Sequence, residues 1–98
     1  MDRKTSRAIK RFSKKVKEIL EVEKIILFGS FAKGEQKDNS DIDIAVIVSG
    51  FDGDYLELNA KLFSIVKNID VRIEPIILNR KNDRSGFLES IEKYGIAI

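Results

Sequence analysis

The chain has 98 residues, 43% apolar and 35% charged, with a net charge of +2 and neither cysteine nor histidine. This describes one domain with room for one core, and it excludes disulfides, thiol chemistry, Cys or His metal sites and any mechanism that needs an imidazole. No apolar run approaches the ~20 residues of a membrane span, and the basic N-terminus lacks the apolar core of a secretory leader, so a reducing cytoplasm is the expected compartment.

Asp2–Leu20 is predicted to be an amphipathic helix. Ala8, Ile9, Phe12, Val16, Ile19 and Leu20 recur at helical spacing and form one stripe. Residues 1–17 hold eight Lys or Arg and one acid, a local +7 against −5 for the remainder. A solvated cationic face is the ordinary outcome of such a pattern. A surface for nucleic acid or for an acidic partner is the alternative, but no aromatic residue shares the basic face, which argues against a single-strand stacking platform.

Lys24–Gly29 reads as the first strand, a short apolar run of the kind covered on both faces. It enters Gly29-Ser30, and the following Phe31-Ala32-Lys33-Gly34 reads as a short helix. Gly29 lets bare backbone, and Ser30 a hydroxyl, come close to a phosphate. Two other phosphate motifs are excluded: Gly34 is followed by Glu35 rather than a P-loop lysine, and Gly-x-Gly-x-x-Gly is absent. Gly34–Ser40 is a polar bridge, with Glu35–Asn39 an exposed loop that returns the chain to the sheet. Lys33 and Lys37 lie within reach of phosphates, although most surface lysines are only solvated.

Asp41–Val48 is the second predicted strand. Ile42, Ile44, Val46 and Val48 share one face; Asp41, Asp43, Ala45 and Ile47 share the other. The two carboxylates stand one pleat apart at the strand entrance. Like charges on rigid backbone repel unless a cation lies between them, and an unpaired carboxylate leading into an apolar strand is costly. Hard oxygen donors suit Mg²⁺, which takes one or two carboxylates plus phosphate oxygens.

Ser49–Asp54 reads as a loop and Tyr55–Lys67 as a helix, with Asp52 or Asp54 near its start. Leu56, Leu58, Ala60, Leu62, Phe63, Ile65 and Val66 cover more than one stripe, so this helix is either sandwiched or met by a partner. Asp70–Leu78 is the third strand. Asp70, Arg72, Glu74 and Ile76 share one face; Val71, Ile73, Pro75 and Ile77 share the other. Pro75 lacks a backbone donor and belongs at an edge or bulge. Asn79–Arg84 is a polar loop. Ser85–Tyr94 is a short helix with Phe87, Leu88 and Ile91 inward, Asp83 or Ser85 as cap and Gly95 as stop. Ile96–Ile98 adds a final short strand. The expected fold class is α+β: a small mixed sheet of three or four strands with helices mainly on one face.

Gly29-Ser30-x-Ala32-x-Gly34 followed by Ser40-Asp41-x-Asp43, set between two apolar strands, resembles the signature of the minimal nucleotidyltransferase (MNT) domains of the DNA polymerase beta superfamily. The resemblance spans about the whole chain and implies a polymerase beta-like palm over residues 1–98. It implies a nucleotide held through Gly29, Ser30, Lys33 and Ser40. It further implies two Mg²⁺ ions, with Mn²⁺ as a substitute, on Asp41, Asp43 and a third carboxylate from the neighbouring strand. That third acid is usually Asp; here Glu74 matches best, with Asp70 as the second candidate. The implied reaction moves a nucleoside monophosphate, AMP from ATP, to a hydroxyl.

Larger superfamily members carry a further domain for base and acceptor, so the acceptor is expected on another protein. MNT domains are often paired with HEPN-domain proteins as toxin–antitoxin systems, the MNT chain being the antitoxin and some transferring AMP to a tyrosine of the toxin. A reading from a different class is a non-catalytic module that neutralises or regulates a partner by contact. Glu in place of the third Asp favours that reading; the intact Gly-Ser and Asp-x-Asp oppose it. Nucleic-acid binding through the basic helix is a third, less favoured, reading.

Overall fold

The computed structural model describes every residue except Asp38 and Arg84. The parts of the two expected loops, Glu35–Asn39 and Asn79–Arg84, that fall on these residues lie outside the described ones.

Helix α1 spans Arg3–Ile19. The Asp2 carboxylate caps it by accepting the Thr5 N–H at 2.7 Å. That hydrogen bond holds the Asp2 carboxyl below the usual carboxylate range. Ala8, Ile9, Phe12 and Val16 are buried, as their spacing predicts. Ile19 departs from the expected stripe and is half exposed. The chain turns extended at Leu20, so Leu20 takes the inward place against the core and Ile19 points out. Thr5 and Ser13 are buried instead.

The sheet has the order β3-β2-β1-β4. Strands β1 (Lys24–Phe28) and β2 (Ile42–Val48) are antiparallel. Helix α3 (Tyr55–Ile69) then crosses over to β3 (Ile73–Asn79), which lies parallel to β2. A parallel neighbour needs such a crossover, because a tight turn reverses direction. The final β4 (Ile96–Ala97) pairs antiparallel with β1. Pro75 therefore lies on an edge strand, where a missing donor costs least.

Each sheet face has its own cluster. Ile25 and Leu27 of β1, Ile42, Ile44, Val46 and Val48 of β2, and Ile73 of β3 meet Ile9, Phe12 and Val16 of α1 and Leu58, Leu62 and Val66 of α3. Burying each such side chain contributes about 1.5–3 kcal/mol. On the opposite face, Ile26, Ala45 and Ile47 meet Leu88 and Ile91 of α4 (Phe87–Tyr94). The alternation read from β2 is thus realised, with the longer helices on one face and α4 alone on the other. Phe87 is not inward as expected: it is 43% exposed and stands edge-on to Phe28 at 6.0 Å. The broad apolar arc of α3 is only partly covered, and Leu56 and Phe63 remain exposed.

Residues Arg80–Asn82 form a 3₁₀ turn where a loop was expected. Arg80 makes a two-pronged pair with Glu23 and bonds Glu92 of α4 at 2.9 Å; Lys24 bonds Glu92 at 2.7 Å. Glu92 thereby fastens α4 to the sheet. Hydrogen bonds from Arg80, then Lys24, lower its pKa from the ordinary 4.5 to about 2. A depressed carboxylate pKa stabilises the fold above its unfolded value and loses that contribution as pH falls through the folded value. Glu92→Gln is therefore expected to melt lower than the native chain at neutral pH. The gap should narrow between pH 4.5 and about 2, as followed by circular dichroism melts across pH.

Candidate functional site

Every residue of β2 is buried except Asp43, which is half-buried. Its register partners are Phe28 on β1 and Glu74 on β3. Register partners in a sheet project from the same face, so the Asp43 and Glu74 carboxylates and the Phe28 ring share the α4 face. Asp41 lies two residues earlier, just outside the strand and exposed. Burial, then the charges of Asp41 and Glu74, push the Asp43 carboxyl above its usual range. Asp43 is therefore close enough to Asp41 and to Glu74 to feel their charges, with no cationic neighbour among the causes of the shift.

The two candidates for the third acid separate clearly. Asp70 does not open the strand as expected; it is the C-cap of α3, and β3 begins at Ile73. Its Oδ1 accepts the Arg72 backbone N–H at 3.0 Å and Nε–H at 3.1 Å, and its Oδ2 accepts an Nη2–H at 2.8 Å. These hydrogen bonds from Arg72 hold the Asp70 carboxyl below its usual range. Arg72 also donates to the buried Thr5 hydroxyl at 3.0 Å and lies 6.0 Å from the Phe31 ring. Asp70 is thus already neutralised, in a clamp that ties the α3–β3 turn to α1. The sequence reading missed this clamp; the Asp-x-Arg spacing, suited to a turn closed by an Asp side chain, was its signal.

Gly29 ends β1 at φ 74°, ψ −151°, a region that only glycine occupies readily. A Cβ there would collide with the Asp43 carboxylate. The backbone of the Gly-Ser turn consequently packs directly against the acid. Helix α2 (Ser30–Lys33) follows, anchored by buried Phe31 and stopped by Gly34 in the left-handed region. Lys33 is exposed at the end of α2. The Ser40 hydroxyl accepts the Lys37 N–H at 2.8 Å and shapes the turn before Asp41. The structure thus gathers Asp43, Glu74, Asp41 and Gly29–Ser30 at one end of the sheet, while Ser40 is engaged in local turn geometry.

Among the described residues, no three His, Cys, Asp or Glu side chains close into a metal cage. The donor set nonetheless suits a hard divalent cation: oxygen only, mutually repelling and open to solvent on one side. Mg²⁺ ordinarily completes its shell with waters and phosphate oxygens rather than with an all-protein cage.

A mixed sheet with one acid on a central strand, a second just before that strand, a third on its neighbour and a glycine turn packed on the first defines a nucleotidyltransferase fold. The model of the nucleotidyltransferase domain matches residues 9–98, and the chain belongs to that family. One relative is a "putative protein adenylyltransferase" of Methanocaldococcus jannaschii, 31% identical over 96 residues and covering 92% of this chain and 94% of the relative. Among solved structures, a "putative nucleotidyltransferase" from Sulfolobus solfataricus superposes with a TM-score of 0.57 at 19% identity, covering 99% of this chain and 86% of that one. A toxin–antitoxin structure with AMP-PNP superposes with a TM-score of 0.62 at 26% identity, covering 90% of this chain and 69% of that one. Among the described residues no helix is long and apolar enough to cross a membrane.

Proposed function

We propose that this chain transfers AMP from ATP to a hydroxyl on a partner protein, as the antitoxin of a pair whose toxin is a HEPN-type protein. The reading rests on the pairing of Asp43 with Glu74 across β2 and β3, beside the Gly29–Ser30 turn, in a member of the nucleotidyltransferase family. The name of the M. jannaschii relative supports protein adenylylation, and the toxin–antitoxin neighbour with AMP-PNP supports both an adenine nucleotide and a protein partner.

Asp41, Asp43 and Glu74 would hold Mg²⁺. Once bound, the metal would offset the triphosphate charge and lower the pKa of the attacking hydroxyl. Gly29 lets the backbone approach the phosphates, and Ser30 offers a hydroxyl donor next to it. Lys33 would add an exposed positive charge at the end of α2. Glu74, exposed beside Asp43, would receive the proton of the incoming hydroxyl. The protein's contribution is chiefly positioning and charge compensation.

The test is label transfer from α-labelled ATP with Mg²⁺ in lysate of the source cells, resolved on a denaturing gel. The native chain is expected to label one protein. Glu74→Gln should lower that label by about two orders of magnitude, the scale of losing one transition-state charge contact. Asp70→Ala should keep transfer near native and instead lose roughly 1–3 kcal/mol of stability, since it breaks a charged hydrogen-bond cluster. Activity lost in Asp70→Ala with the fold intact, and kept in Glu74→Gln, would exchange the two roles. No label in any lane, with the protein folded, would leave a module that acts by contact alone.

A further inference from the structure

A cavity of about 490 Å³ opens between the end of β1, helix α2 and helix α4. Gly29 forms part of its wall, as do Phe28, Phe87 and Tyr94, with Lys33 and Ser90 among the few polar groups. This volume lies within the range of small-molecule sites, about 300–1,000 Å³. Phe28 and Phe87 meet at 6.0 Å with their planes at 90°, making a two-walled aromatic corner. Phe87 and Tyr94 remain 43% and 65% exposed although they lie on the helix that packs against the sheet. Neither ring is needed to fill the core beneath α4, which Leu88 and Ile91 complete.

Gly29 connects this cavity to the acids. It lies against the Asp43 carboxylate and also borders the cavity. A molecule with phosphates at the Gly29–Ser30 turn would have its remaining part next to the cavity, and a flat heterocycle suits an aromatic corner. We infer that Phe28, Phe87 and Tyr94 form the nucleobase pocket of the nucleoside triphosphate, the base stacking on the rings of α4. The inference rests on the triphosphate lying at the Gly29–Ser30 turn. It also specifies a selectivity. Every base has a π-face, so stacking tolerates any base, and a wall with so few polar groups offers little edge readout. The pocket sorts nucleotides by ring area, purines ahead of pyrimidines, with little distinction between adenine and guanine.

Isothermal titration with Mg²⁺ tests this, using ATP, GTP, CTP and inorganic tripolyphosphate against the native chain, Phe87→Ala, Tyr94→Ala and Tyr94→Phe. Both replaced rings are exposed, and circular dichroism melts check that the variants fold. ATP and GTP should bind about equally, and tighter than CTP or tripolyphosphate. Either alanine change should weaken ATP by about tenfold, the scale of one lost stacking contact, and leave tripolyphosphate unchanged. Tyr94→Phe should bind ATP as the native chain does. Tripolyphosphate binding as tightly as ATP, or alanine variants that keep native ATP affinity, would overturn the base pocket while leaving the triphosphate site standing; the cavity would then be free for an acceptor side chain. Binding of neither ATP nor tripolyphosphate would overturn the nucleotide reading itself, and the pocket with it.

Discussion

Asp43→Asn is expected to lower nucleotidyl transfer by about three orders of magnitude while raising the melting temperature of the ligand-free protein. Both signs come from one carboxylate. Asp43 is the only residue of β2 that is not fully buried, and it faces Glu74 across the strand pair with Asp41 close by. Burial and these two like charges raise its pKa, so its ionised form destabilises the folded chain whenever no cation is bound. An acid with a raised folded pKa binds protons more readily folded than unfolded, so this penalty grows as pH rises through that interval and persists above it. The amide keeps the shape and removes the charge. A rise of about a few degrees matches the gain that relief of a local repulsion commonly brings to a domain of this size. The loss of transfer follows because the metal would lose a ligand worth several kcal/mol of transition-state stabilisation, and about 1.4 kcal/mol is a factor of ten in rate. Melting curves with and without Mg²⁺, run beside the labelling assay, check both halves. A variant that is less stable in the absence of metal would show that the acids are compensated by groups other than a cation.

Gly29→Ala is expected to cost about two orders of magnitude in transfer and about 1–3 kcal/mol in stability. The stability loss is the strain of placing a side chain at φ 74°, ψ −151°. The loss of transfer has a separate cause. The new methyl collides with the Asp43 carboxylate, and a misplacement of about 1 Å at a reacting centre is enough for a hundredfold effect. Gly34→Ala is the matched control. It too has a positive φ, of 71°, but a Cβ there meets nothing within 4 Å. It should lose about 1–2 kcal/mol of stability and little activity. Equal activity in the two variants would mean that contact between the turn and Asp43 plays no part in the chemistry.

The strands and helices were legible because their periodicities are local. Ile42, Ile44, Val46 and Val48 against Asp43, Ala45 and Ile47 state the two faces of β2 outright, and the structure places the first set in one apolar cluster and Ala45 and Ile47 in the other. Ends and overlaps were less legible. Ile19 lies on the helical stripe by spacing, yet the turn at Leu20 sends it outward. Phe87 is apolar and sits in the right turn of α4, but the core under that helix is already filled by Leu88 and Ile91, so the ring is left at the rim.

By itself the sequence determined the family, the acid pair and the glycine turn, because each is written in contiguous residues whose spacing is the chemistry. Which of Asp70 and Glu74 lies beside Asp43 was decided only by tertiary structure. Both acids precede or open an apolar run, and both lie on the same predicted face. The crossover through α3 sets the register that brings Glu74 opposite Asp43, while Arg72 folds back on Asp70 and Thr5 of α1 holds the guanidinium there. The cavity beside Gly29 belongs to the same category, since its aromatic walls come from residues 28, 87 and 94. A local pattern can fix what a residue offers, but which groups meet depends on strand register and helix docking, and these are settled by burial across the whole chain.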